Sequence, residues 1–268
     1  MARPFIVMCA PNGARKTQAD HPALPILPGE LADCAESILQ AGASIMHLHV
    51  RDEDGRHSLD VDRYRTAIDA IRDRVGDQLV LQVTTEACGI YKPQEQIQMV
   101  RELKPEAVSL ALKELCPTDA DESFAKDFFS WLQAERVMAQ YILYTPAEVE
   151  RFVRLQGKGV IPDKHPFVLF VLGRYSEDLT GDPEELEKFA AVLNDDTDWA
   201  VCCFGRTEQR AASLAASRQG HARVGFENNL LLPDGTRAGD NAVLVRLAAN
   251  CQVERPVATA ADVRSQFC

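Results

Sequence analysis

One rhythm constrains this chain more than any other feature. Eight short apolar segments rich in β-branched residues recur along it, each followed by polar turn residues and then a stretch with apolar positions spaced by three and four. In order they are "FIVMCA" from Phe5, "SIMHLHV" from Ser44, "LVLQVTT" from Leu79, "AVSLAL" from Ala107, "AQYILY" from Ala139, "FVLFVLG" from Phe167, "WAVCCFG" from Trp199 and "ARVGFE" from Ala222. Between them Leu31, Cys34, Ile38 and Leu39 share one helical face, and Val61, Tyr64, Ile68, Ile71 and Val75 the next. Thr145-Pro146-Ala147-Glu148 and Asp182-Pro183-Glu184-Glu185 each supply an oxygen cap, a first-turn proline and a glutamate three residues after the cap. Strands this apolar are covered on both faces, which implies parallel pairing through helical crossovers. Eight such units in 268 residues predict one α/β domain spanning 1–268, a single (β/α)8 TIM barrel. The competing closure, an open doubly wound sheet, lacks its signature: "APNGARKT" after the first segment has no second close-approach glycine.

The formal net charge is -11, and no stretch gathers lysine and arginine with interleaved aromatics, so nucleic acid is not an expected partner. A small molecule is. The first apolar run is six residues long and none approaches the roughly 18 needed to span a bilayer, so no membrane partner and a cytoplasmic location are expected. The cysteines, Cys9, Cys34, Cys88, Cys116, Cys202, Cys203, Cys251 and Cys268, form no C-x-x-C pair and read as reduced thiols, mostly packed as small hydrophobes.

In such a barrel, chemistry gathers at the C-terminal ends of the strands. Asn12 and Arg15 follow the first segment; His47, His49, Arg51 and Asp52 end the second; Thr84, Thr85 and Glu86 end the third. Lys113 and Glu114 follow the fourth, Tyr144 ends the fifth, Arg174 the sixth, Arg206 the seventh, and Glu227 and Asn228 the eighth. Asp52, Asp54 and Gly55 have the composition of a turn, and the glutamate a calcium loop would need downstream is absent.

His47 and His49, two apart on a strand, point to one face about 6.6 Å apart along the backbone, and that face is the barrel interior. Strands two and eight are both even-numbered and feed the same interior layers, so Glu227 is placed to converge with the two imidazoles. Two histidines and a glutamate match a catalytic zinc sphere with a position open for substrate. The competing interpretation is a pair of hydrogen-bonded core histidines, with Glu227 merely pairing Arg223 on the inner face of the same strand.

"HPALPILPGE" after "NGA", then "GASIMHLHVRDEDGRHS", "LVLQVTTEACG" and "GHARVGFENNL", with the later Asn241-Ala242, together resemble the β-keto acid cleavage enzyme family, in order from Ala10 to about Arg246. The resemblance implies a TIM barrel, a homotetramer, and a divalent zinc held by His47, His49 and Glu227. It implies condensation of a β-keto acid with acetyl-CoA, giving a CoA thioester and acetoacetate. Arg223 falls where the family has the arginine that supports the base, and Thr84 where a serine often helps hold the substrate carboxylate.

The chain also departs from the pattern. The family usually has Glu-Asp-Asn after strand eight, and its aspartate resembles the general base; here Asn228 stands at that position, and an amide cannot take the proton. Lys113 and Glu114 replace a glycine-threonine pair, Glu86 replaces a common glycine, and "AQYILY" lacks the Pro-Glu-x-Glu pattern. The expectation is that Glu86 or Glu114 supplies the base, with Asn12, Thr84, Thr85 and Arg223 orienting the substrate. Arg15, Lys113, Arg174 and Arg206 are the cations expected to meet a carboxylate or the phosphates of CoA. Two alternatives stand beside this: another metal-dependent carbon–carbon lyase or aldolase, and a catalytically silent zinc barrel that binds a metabolite.

Overall fold

A computed structural model describes residues 3–194, 196–251 and 255–267, so Cys268 lies outside the described residues. Each apolar segment forms a strand: β1 (Val7–Cys9), β2 (Ile45–Leu48), β3 (Val80–Thr84), β4 (Ala107–Ala111), β5 (Met138–Leu143), β6 (Phe167–Leu172), β7 (Asp198–Cys203) and β8 (His221–Val224). They pair in parallel, each with the next, and β8 closes on β1, making an eight-stranded barrel. The helices α1 (Pro28–Ala41), α2 (Val61–Val75), α3 (Pro93–Leu103), α4 (Glu122–Ala134), α5 (Pro146–Gly157), α6 (Leu186–Ala190), α7 (Glu208–Ser217) and α8 (Asn241–Asn250) follow the strands in turn. A last helix, α9 (Ala260–Phe267), ends the described chain. None of them is long and apolar enough to cross a membrane.

The strands are buried on both sides because they separate two cores. Outside, Val7, Met46, Leu81, Val108 and Phe170 pack with Leu31, Ile38, Tyr64 and Ile71 of the helices. Inside, Ile6, Met8, Ile45, Val80, Met138 and Leu169 fill the barrel, and Val263 of α9 joins them. Phe267 stacks on Phe167 with ring centroids 4.8 Å apart, closing the end of the barrel opposite the strands' C-termini. Each buried Val, Leu or Ile contributes roughly 1.5–3 kcal/mol, so the doubly covered strand pattern is itself the main driving force for closure. His221, inside this floor, accepts a hydrogen bond at Nδ1 from Ile6 N–H at 3.0 Å and is a core histidine.

The expected helix starts are present. The Thr145 side chain accepts from Glu148 N–H at the head of α5, and the Asp182 carboxylate accepts from Glu184 N–H. The latter opens a 3-10 turn over Pro183–Glu185 before α6 rather than a full helical turn. Gly157 to Lys164 connects α5 to β6 as a loop, and Asp163 in it accepts from the Tyr141 hydroxyl at 2.5 Å. The described cysteines are free thiols, with Cys9, Cys116, Cys202 and Cys203 buried.

Two strand ends differ from expectation. The ladder of β2 stops at Leu48, and Val50–Arg51 instead pairs antiparallel with His57–Ser58. The Asp52 carboxylate drives this turn by accepting from Asp54 N–H at 2.9 Å and Arg56 N–H at 2.8 Å, with Gly55 at a positive φ of 76°. At the other end, Glu227 does not share a strand with Arg223. β8 stops at Val224 because Gly225 takes a φ of 129°, and a Cβ there would lie 2.6 Å from the Ala10 carbonyl oxygen. Glu227 therefore sits in a turn above the barrel rim. We predict that Gly225→Ala lowers stability by about 1–3 kcal/mol through strain and crowding, or roughly 3–10 °C in Tm by calorimetry. An unchanged Tm would show that this turn relaxes freely.

Candidate metal centre and the surrounding cavities

His47 lies in β2 opposite Gln82, with its side chain inside the barrel. His49, one residue past the strand, follows it to the same side, and both rings are buried. Two amides hold the pair. His47 Nδ1 donates to Gln82 Oε1 at 2.8 Å, and Gln82 Nε2 in turn donates to Gln140 Oε1 at 3.2 Å. The Asn12 amide donates to the His49 carbonyl and to the Pro25 carbonyl, both at 3.0 Å. Glu227 arrives from the β8 turn, whose Glu227 N–H donates to Ala10 O at 3.0 Å and Phe226 N–H to Asn241 Oδ1 at 2.8 Å. Gly13 makes room for it, since a Cβ there would lie 2.5 Å from Glu227 Cγ.

The three side chains close into a triangle. His47 Nε2 and His49 Nε2 are 3.1 Å apart, and Glu227 Oε2 is 3.6 Å from the first and 3.3 Å from the second. Ligand atoms about 2.1 Å from a tetrahedral ion lie roughly 3.4 Å from one another, so the triangle has the size of a three-residue metal site. Tautomer points the same way: with Nδ1–H given to Gln82, His47 keeps a lone pair on Nε2, aimed at the other two ligands. Glu227 Oε2 is buried and has no hydrogen-bond partner among the described residues. Burial pushes the imidazoles down, His47 to about 4 and His49 to about 3, so both are neutral near pH 7. Burial works to raise the Glu227 carboxyl, but the Arg223 guanidinium and the two imidazoles outweigh it and hold the group well below the usual carboxylate range. Arg223 Nη2 donates to Glu227 Oε1 at 3.0 Å, which leaves Oε2 for the histidines. The residues present thus fit a divalent ion.

Around this triangle lies an inner cavity lined also by Thr84, Glu86, Ser109, Ala111, Ile142, Tyr144, Val171, Arg174, Phe204 and Arg223. An outer cavity shares Glu86, Arg174, Phe204 and Glu227 with it and adds Asn12, Gly13, Arg15, Lys16 and Asp20. Glu86 stands between them. Its carboxyl is pushed up chiefly by burial, its oxygen lies 3.6 Å from Arg15, and its backbone N–H donates to the Thr84 hydroxyl at 3.0 Å. His57 Nε2 donates to the Glu86 carbonyl at 2.8 Å.

Several expected site residues are held elsewhere. Glu114 lines neither cavity; its carboxylate accepts from Ala87 N–H at 3.0 Å and Gln96 Nε2 at 2.8 Å, anchoring the loop that carries Glu86. Thr85 is fully buried and donates to the Ser109 carbonyl at 3.1 Å, outside both cavities. Lys113 Nζ lies between the faces of Tyr144 and Tyr175, 3.7 and 4.1 Å from their centroids, and donates to the Tyr175 hydroxyl at 2.8 Å. Arg206 is exposed and lines neither cavity. Asn228 is buried, its side-chain polar atoms have no partner among the described residues, and it too lines neither cavity.

Several participants are not among the residues expected from the sequence. Ser109, Gln82 and Gln140 are polar residues set in phase with the inward positions of apolar strands, a signal that was available. Lys16, which donates to the Glu227 carbonyl at 2.6 Å, gave none. Behind the β8 turn, Glu208 is buried and accepts from Gly225 N–H at 3.1 Å and from the Asn229 amide at 3.2 Å. Burial raises its carboxyl to about 8.

The sequence matches the beta-keto acid cleavage enzyme family over residues 4–267. It is 32% identical to a 3-keto-5-aminohexanoate cleavage enzyme of Fusobacterium nucleatum, over 98% of this chain and 97% of that one. It is 31% identical to a 3-oxoadipate:acetyl-CoA acetyltransferase of Cupriavidus necator, over 99% and 95%. Among solved structures, apo ObcA superposes with a TM-score of 0.72 at 17% identity, over 92% of this chain and 65% of that chain, a likeness of fold.

Two predictions follow from this geometry. Gln82→Leu should weaken metal binding by the metal-free protein about 10- to 100-fold in a chelator competition, because the His47 tautomer is no longer held. An unchanged affinity would remove Gln82 from the site. Glu208 has a folded pKa near 8, above its unfolded value, so its contribution is full at low pH and is lost as pH rises through 8. Thermal stability should therefore fall between about pH 5 and 8, and Glu208→Gln should flatten that slope; parallel curves for the two proteins would refute it.

Proposed function

Because the chain belongs to the beta-keto acid cleavage enzyme family, and so is an enzyme that cleaves β-keto acids with acetyl-CoA, we propose that it does this with a divalent ion, zinc, held by His47, His49 and Glu227. The observation that carries the proposal is the meeting of this triangle with a second carboxyl, Glu86, in one cavity at the barrel mouth. A bound ion supplies Lewis acidity toward a carbonyl oxygen, which favours an enolate at the neighbouring carbon.

The side chains supply the rest. Glu86 takes the α-proton of the β-keto acid; burial raises its carboxyl above the usual carboxylate range and so makes it a stronger base. Arg15 stays close enough to favour the ionised form without a tight pair. Thr84 is free to donate its hydroxyl proton to the substrate, since its oxygen already accepts from Glu86 N–H. Arg223 holds Glu227 in place and keeps it charged. The α-carbanion adds to the acetyl thioester carbonyl and expels the CoA thiolate; the thiolate adds to the β-ketone carbon, and cleavage of the bond between the α- and β-carbons leaves the new CoA thioester and the enolate of acetoacetate, which takes the proton back from Glu86. From the family likeness alone the proposal also takes a homotetramer.

His49→Ala should lose both stoichiometric metal, by elemental analysis, and acetoacetate release from a β-keto acid panel with acetyl-CoA. Glu86→Gln should keep its metal and lose about 10²- to 10⁴-fold in kcat. Full turnover by Glu86→Gln on the best substrate of the panel would sink the base assignment, and full turnover by a metal-free protein would sink the metal.

A further inference from the structure

We propose that the substrate carries a second carboxylate at its far end and that Arg174 is the residue that selects it, an inference that rests on the reading of this site as a β-keto acid cleavage centre. The starting observation is an unmatched guanidinium. Arg174 lines both cavities, yet among the described residues its side chain makes no hydrogen bond or ion pair. Its contacts are ring faces, with Phe204 and Tyr175 centroids 5.6 and 5.7 Å from Cζ. Rings of this kind orient a guanidinium plane but accept none of its five N–H donors in the plane of the fork.

The other cations around the two cavities are engaged. Arg223 is paired with Glu227, Arg15 faces Glu86, and Lys16 donates to the Glu227 carbonyl. Lys113, beyond the wall, is enclosed by two tyrosines. Arg174 alone of the cations lining the cavities is left with a planar fork that suits a carboxylate.

The carboxylate that every β-keto acid has finds another seat. Thr84 and Ser109 are register partners on neighbouring strands, and both line the inner cavity. Among the described residues the buried Ser109 hydroxyl has no partner, and the Thr84 hydroxyl uses only its oxygen. Two adjacent hydroxyl donors make a cradle for one carboxylate. The wall shared with Arg174 is apolar, built from Ala111, Ile142 and Val171, so what spans the two seats is a hydrocarbon spacer. The site thus reads as keto oxygen at the triangle, one carboxylate at the hydroxyl pair, a methylene chain along the wall and a second carboxylate at Arg174.

The test compares a 3-oxo dicarboxylate with a 3-oxo monocarboxylate of equal chain length, each with acetyl-CoA, in the metal-loaded enzyme and in Arg174→Gln and Arg174→Lys. Charged hydrogen bonds lead to an expected preference of about 10- to 100-fold in kcat/KM for the dicarboxylate. That ratio should collapse toward one in Arg174→Gln and recover in part in Arg174→Lys. Equal use of the two acids by the unaltered enzyme overturns the proposal. So does an Arg174→Gln that keeps the ratio and raises KM for acetyl-CoA, which would make Arg174 a seat for a CoA phosphate. Calorimetric binding of the same acids separates this inference from the reaction it rests on. Without turnover of either acid, an Arg174-dependent preference for binding the dicarboxylate upholds the inference and rejects the reaction, and its absence rejects both.

Discussion

The contact on which the rest of this structure depends is the 3.0 Å hydrogen bond from Arg223 to Glu227. A carboxylate at the mouth of a closed barrel loses most of its water, and an unpaired charge there is expensive. Arg223, rooted in β8, compensates one oxygen and leaves the other facing His47 and His49. Those histidines are neutral because burial disfavours their cations, whereas Glu227 is charged because the arginine and the two imidazoles outweigh burial. Burial and the arginine together set the protonation pattern that metal ligation requires.

That pattern is held by groups that do no chemistry themselves. Gln140 orients Gln82, which orients His47; Asn12 holds the His49 backbone; Asn241 and Glu208 pin the turn that brings Glu227 inward. All of them are neutral amides or, in Glu208, a carboxyl that burial favours in its neutral form. They can therefore be placed in a dry interior without adding further buried charge. The outer cavity sets three cations, Arg15, Lys16 and Arg174, against three carboxylates, Asp20, Glu86 and Glu227, on a chain whose net charge is -11, so the mouth is less acidic than the molecule as a whole.

Much of this was legible before any coordinates. Apolar runs alternating with three-and-four spacing imply parallel strands and outer helices, because only that arrangement covers both faces of every strand. The two histidines of "HLH" were legible because a strand has a period of two. Where a reading failed, a local backbone choice had intervened. Gly225 ends β8 early, so Glu227 reaches the histidines from a turn and not along a strand. The Asp52 turn folds the segment after His49 into a hairpin.

The sequence by itself determined the barrel, the ligand types and the number of charged residues near the strand ends. Only the tertiary structure decided which of those charges are spoken for. Glu86 and Glu114 are indistinguishable as letters, yet one lines the cavity and the other is bonded to Ala87 and Gln96. Lys113, Arg174 and Arg206 are all cationic side chains near strand ends, yet one is enclosed by tyrosines, one faces the cavities and one faces solvent. The physical reason is range: strand and helix periodicity is set by neighbours a few residues away, whereas the pairing of a side chain depends on which distant residues the closed barrel brings within hydrogen-bonding reach.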